Sequence, residues 1–160
     1  MRILKRIVIA LAAALGLIAL ALIGSVAVDT LLSRGRLYAL TNVRIVQHDA
    51  VEVVREMIAP GVVTADLDAA AEEIIRKHGG IPVFKGYPGA YPYPASLCIS
   101  INEELVHGFP SKRRLKEGDI VSVDCGTLLE GFVGDAAFTV GVGEISAEAK
   151  RLIEVTEQAL

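Results

Sequence analysis

The chain has 160 residues, 52% hydrophobic and 22% charged, which predicts one domain of ordinary globular size carrying an apolar excess. A net charge of −3, with no basic run after Arg6 beyond the short Ser111-Lys112-Arg113-Arg114 stretch, argues against nucleic-acid binding. Cys98 and Cys125 stand far apart in no CxxC spacing and read as reduced thiols, which suits a cytoplasmic setting better than an oxidising one.

The apolar excess sits at the start. Met1 to Arg6 is basic, and Ile7 to Val28 is an uncharged run of Ala, Leu, Ile, Val and Gly with one Ser, long enough to span a bilayer. Three readings stay open. It is a membrane anchor, a cleaved secretory signal with small residues at Ser25-Val26-Ala27, or unrelated sequence prepended by a misplaced start. Residues 1–30 are therefore assigned to a transmembrane or signal-like hydrophobic helix and 31–160 to the folded domain. Arginines on both sides of the run leave its orientation open.

Next come α, then β, then α elements. Val43, Val46, Ala50, Val54 and Met57 recur at helical spacing and predict an amphipathic helix over Asn42 to Ile58, stopped by Pro60-Gly61. A second helix is expected from Thr64, read as its N-cap, to Lys77-His78, with Gly79-Gly80 closing it. His78 in that last turn suits the helix dipole and needs no chemistry, and His48 falls away from the apolar stripe. Tyr87 to Pro94 is too rich in Pro and Gly for a regular element and reads as a loop that packs on a sheet or walls a pocket. Cys98 to Asn102 alternates as a strand, with Ile99 and Ile101 on one face and Cys98 and Ser100 on the other. A last helix is expected over Ser146 to Leu160, with Ala149, Leu152, Ile153, Thr156 and Ala159 inward.

Between these lies VSVDCGTLLEGFVGDAA, residues 121–137, an apolar hairpin pattern broken by Asp124 and Asp135. No Lys or Arg occurs from Gly118 to Gly143. A carboxylate withdrawn from water costs several kcal/mol unless compensated, and a bound cation would compensate it. With a turn at Glu130-Gly131, Asp135 lies opposite Gly126, a diagonal neighbour of Asp124 on the same face, close enough for two carboxylates to serve a two-metal site. Two aspartates on the wet side of a hairpin are the alternative. His107, between Leu105-Val106 and Gly108-Phe109, reads on its own as a satisfied core histidine.

The ordered stretches FKGY (84–87), PASLCISINEELVHGFP (94–110), LKEGDIVSVDCG (115–126), GFVGDAAFTVGVG (131–143) and SAEAKRLIEVTEQAL (146–160) resemble methionine aminopeptidase of the bacterial, type I kind, from about Val43 onward. The resemblance implies an α+β pita-bread fold, creatinase/aminopeptidase-like, of which this chain would carry the N-terminal half: an antiparallel sheet with flanking helices. It implies that Asp124 and Asp135 are metal ligands in a dinuclear centre of Co, Mn, Fe or Zn. It gives His107 a substrate-contacting catalytic role, and places Tyr93 and Cys98, with Tyr87 and Phe84 beside them, along a pocket for the methionine side chain.

Such an enzyme is a hydrolase removing the initiator methionine from peptides or nascent chains in the cytoplasm, in association with ribosomes in some settings. The segment GYPGAYPYP departs from the family by being longer. The family's remaining ligands, a histidine and two glutamates, would come from a second half, so a truncated and inactive product is expected. A non-catalytic pita-bread protein binding peptides or a ribosomal partner is the alternative, and proline-specific peptidases of the same fold are a further one.

Overall fold

The computed structural model describes the backbone of residues 2–159 and the side chains of residues 25, 26 and 28–159. Two compact units are present, Met1–Tyr38 and Ala39–Leu160. The hydrophobic run 7–28 falls almost wholly on side chains outside the described residues. Among the described residues no helix is long and apolar enough to cross a membrane.

The first helix, α1, is Arg2–Met57, so it starts far before the expected Asn42. The apolar stripe that suggested Asn42 marks where the helix gains a packing surface. It does not mark where the backbone can begin, because no proline interrupts residues 2–57 and helix-compatible residues dominate. In the second unit, Val43, Val46, Ala50 and Val54 are buried at the predicted spacing.

Helix α2 is Thr64–Lys77, and here the predicted cap is displaced: Val63 is the N-cap and makes no side-chain cap. Thr64 is instead the first helical residue. Its hydroxyl donates to the carbonyl of Ser111 at 3.0 Å and accepts from the Ser111 amide at 2.9 Å, and it is spent on that cross-chain pairing. The other end is as expected. His78 Nδ1 lies 2.9 Å from the carbonyl oxygen of Ile74, and Gly79 follows at φ 78°.

Four strands form one antiparallel sheet: β1 Ile81–Pro82, β2 Leu97–Ile101, β3 Ile120–Leu129 and β4 Phe132–Gly141. Strand β3 is the spine, with β1 and β2 in succession along one edge and β4 along the other. Val121, Val123, Cys125 and Thr127 of β3 are buried, and Leu97, Ile99 and Ile101 of β2 pair with them on the same face. Val46, Ala50, Val54, Leu67, Ala71 and Ile75 complete this core from α1 and α2. All five residues of β2 are buried, so its second face is covered as well.

The β3–β4 turn falls at Glu130-Gly131, as predicted, with φ of 51° and 83°. Both values lie in the left-handed region, which a two-residue hairpin turn needs to match strand twist. A Cβ on Gly131 would meet nothing within 4 Å, so Gly131→Ala isolates the conformational penalty. It should cost about 1–2 kcal/mol in urea unfolding with the denaturant slope unchanged.

Helix α3, Ala147–Gln158, begins with Ser146 accepting a hydrogen bond from the Ala149 amide at 3.1 Å. Its expected inward face is not buried. Ala149 and Ile153 are half-covered, while Leu152 remains 60% exposed and Thr156 and Ala159 are exposed too. Helical periodicity shows which side is apolar, but coverage needs a facing element, and β4 is the main neighbour of α3.

Candidate metal centre

The hairpin register pairs Gly126 with Asp135 and Asp124 with Ala137, which puts both aspartates on the face of the sheet away from the α1 and α2 core. Asp124 is half-buried and Asp135 exposed. Burial raises the Asp124 carboxyl above the ordinary carboxylate range, and the charge and hydrogen bonding of Asp135 add to the rise, while His107 opposes it. The two carboxyls therefore face each other. Cys98 is the cross-strand partner of Asp124 on the other side. An open groove of about 660 Å³ runs past Asp124 and Cys98, lined also by Ser100, His107, Phe138 and Leu152 among others.

Arg55 also reaches this groove, and nothing local in the chain signals it, because it lies on α1, far away in the chain. Its guanidinium stacks 4.2 Å from the centre of the Phe138 ring and pairs with Glu52 at 3.4 Å.

His107 is exposed and has a left-handed backbone, φ 58°. Its neighbour fixes it there. Gly108 accepts from the Ile99 amide at 2.9 Å and donates to Ser100 Oγ at 3.1 Å, so the chain doubles back against β2. A Cβ on Gly108 would overlap the Ile99 carbonyl oxygen. Glu104 braces the approach, accepting from the Ile101 amide at 2.9 Å and from Arg113 at 2.7 Å.

The Tyr87–Pro94 segment is a loop, as expected. Its anchor is Tyr93, whose hydroxyl lies 3.0 Å from the carbonyl oxygens of both Leu97 and Gly108. The Tyr93 ring meets Phe84 and Phe109 edge-on, at 6.4 and 5.1 Å between centres. Phe84 in turn packs over Gly126, where a Cβ would come within 3.0 Å of the ring. Burial pushes the Cys98 thiol up, so it is a neutral group beside the aspartates. Tyr93, Cys98, His107 and the aspartates are thus gathered on one side of the sheet, whereas Tyr87 is 67% exposed on the outer part of the loop.

Residues 39–160 match the model of metallopeptidase family M24. The chain belongs to this family. Among relatives, it is 52% identical over 111 residues to a methionine aminopeptidase of Clostridium perfringens, covering 69% of this chain and 43% of that protein. It is 54% identical over 112 residues to the one from Clostridium acetobutylicum, covering 69% and 44%. The crystal structure of methionine aminopeptidase from Thermotoga maritima superposes with a TM-score of 0.70 at 42% identity, over 74% of this chain and 47% of that one. A prolidase from Pyrococcus furiosus, 21% identical with a TM-score of 0.62, shares the fold. The chain spans about half the length of the curated relatives it matches. The α+β expectation, with helices flanking the antiparallel sheet of the pita-bread fold, holds for the M24 domain.

For an M24 metallopeptidase the donor chemistry is partly in place. Two facing carboxylates with no Lys or Arg on their own strands suit a hard or borderline divalent cation, which would offset the burial and the neighbouring charge that raise Asp124. Among the described residues, however, no group of three or more His, Cys, Asp or Glu stands close enough together to hold a metal ion. Asp124 and Asp135 by themselves fall short of such a group.

In the absence of metal, Asp124 works against folding. Its folded pKa is raised, so the folded state binds more protons than the unfolded state, and stability falls as pH climbs from about 4 through the raised value. Asp124→Asn should accordingly raise the melting temperature at pH 7, with wild type and variant converging below about pH 4, where the carboxyl is protonated in both states. Thermal melts across this range in a chelator check it.

Proposed function

We propose that the chain forms part of a metal-dependent aminopeptidase that removes the N-terminal methionine from peptides or nascent chains. The observation that supports this most is the convergence of Asp124, His107 and Cys98 on one groove, with Asp135 beside Asp124 on the same face of the sheet, in a chain more than half identical, over the aligned region, to methionine aminopeptidases.

In this reading Asp124 and Asp135 hold divalent metal, of which Co, Mn, Fe and Zn all suit the chemistry. Bound there, the metal supplies a water made nucleophilic near neutral pH and a positive charge toward the peptide carbonyl. His107, carried on the fixed backbone of Gly108, donates a hydrogen bond to the substrate at the scissile amide. Tyr93, Phe84 and the neutral Cys98 thiol wall an apolar recess that suits an unbranched thioether. Tyr87 stands outside that recess, on the exposed part of the loop.

The test is a chimera joining this chain to the remaining half of the Clostridium acetobutylicum relative, assayed with Met-Ala-Ser and Leu-Ala-Ser peptides. Metal-dependent release of methionine in preference to leucine supports the reading. A folded, metal-loaded chimera that releases neither residue overturns it.

A further inference from the structure

The aromatic loop has no secondary structure of its own, yet both of its ends are fixed, and the groups that fix them come from one face of α2. Asp68 and Glu72 are one turn apart and project side by side. Asp68 Oδ1 accepts the amides of Ser96 and Leu97 at 2.9 and 2.8 Å, the two residues immediately before Cys98. Glu72 Oε2 takes Lys85 Nζ at 2.6 Å and the Ser96 hydroxyl at 2.9 Å. Lys85 enters the loop and Ser96 leaves it, so a single carboxylate oxygen ties the two ends together.

We propose that Asp68 and Glu72 are positioning residues that clamp the ends of the 85–96 loop and thereby set where Phe84, Tyr93 and Cys98 stand relative to the aspartate pair. This rests on the reading that the loop walls the methionine recess.

Three further observations agree. Inside the clamp the loop is closed on itself, Gly86 donating to the Tyr93 carbonyl at 2.8 Å and Tyr93 to the Tyr87 carbonyl at 3.0 Å. Outside it, the tip is bare, with Tyr91 89% exposed. The Glu72 side chain is only 19% exposed against 42% for Lys85, and Lys85, with help from Arg76 and Ser96, holds the Glu72 carboxyl down at about 2. The clamp therefore stays charged at any physiological pH. Asp68 differs, because burial raises its carboxyl in spite of the two amides. It is a strand-start anchor made partly at the expense of solvation.

The experiment is residue-resolved hydrogen exchange on the full chain, comparing wild type with Glu72→Gln, Lys85→Met and Lys85→Arg. Losing the ion pair should speed exchange at the Gly86 and Tyr93 amides by roughly tenfold, with Val123 in the core strand unchanged. Lys85→Arg, which keeps the pairing, should restore wild-type protection. Asp68→Asn should speed the Ser96 and Leu97 amides in the same local way.

Equal protection in all variants, or faster exchange spread evenly through β3, would overturn the clamp. L-methioninamide binding to the wild-type chimera, followed by calorimetry, tests the recess itself. Local loosening supports the clamp whether or not that probe binds, and absence of binding counts against the recess alone.

Discussion

Gly108→Ala should be among the most damaging single substitutions in the M24 domain, lowering its stability by about 3 kcal/mol, the upper range for forced overpacking. The reason is steric. The added methyl meets the Ile99 carbonyl in the middle of β2, and backbone cannot give way as the end of a side chain can. Relief requires the 107–109 turn to lift off the strand, breaking the Ile99 to Gly108 and Gly108 to Ser100 hydrogen bonds and carrying His107 away from Asp124. A melting temperature lower by about 10 °C or more is expected for a domain of this size. Faster hydrogen exchange at the Ile99 and Gly108 amides should accompany it. A variant that melts within a degree or two of wild type would show that the turn is not seated as described.

The second large effect concerns catalysis. Incubated by itself with Met-Ala-Ser peptide and Mn or Co, the 160-residue chain should give no metal-dependent release of methionine. A catalytic metal normally has about three protein ligands as well as water, and the described residues bring together two carboxylates. In the chimera with the C-terminal half of a relative, turnover should appear and Asp135→Asn should reduce it by about a thousandfold or more, since metal stabilisation of the reacting carbonyl is worth several kcal/mol and each 1.36 kcal/mol is tenfold. Turnover by the short chain, abolished by Asp135→Asn, would show that two carboxylates suffice.

What could be read in advance divides along a physical line. The hairpin was legible because period-two alternation, a Glu-Gly turn and the parity of two aspartates are all local and reinforce one another; the pairing of Gly126 with Asp135 follows from counting. The apolar face of α1 from Val43 to Val54 was legible for the same reason. Thr64 reads as an N-cap because an N-cap threonine and a threonine held by Ser111 look alike until the partner segment is known. The face of α3 was misassigned to the interior because a stripe records preference and not coverage. Asp68, Glu72 and Arg55 carried no signal at all: each is an ordinary charged residue on a helix whose partner lies elsewhere in the chain, as with the 13 positions separating Glu72 from Lys85.

Strand β3 keeps two accounts in one stretch of ten residues. Its odd-numbered positions, Val121, Val123, Cys125 and Thr127, are buried on the face that packs on the helices, and its even-numbered ones, Ser122, Asp124 and Gly126, stand on the opposite face. Substitutions at Ser122 and Asp124 alter the outer face with little loss of core packing, and substitutions on the odd positions alter packing while leaving both aspartates in place. The face that carries Asp124 can therefore change by single-residue steps while the face that packs on the helices continues to hold the fold.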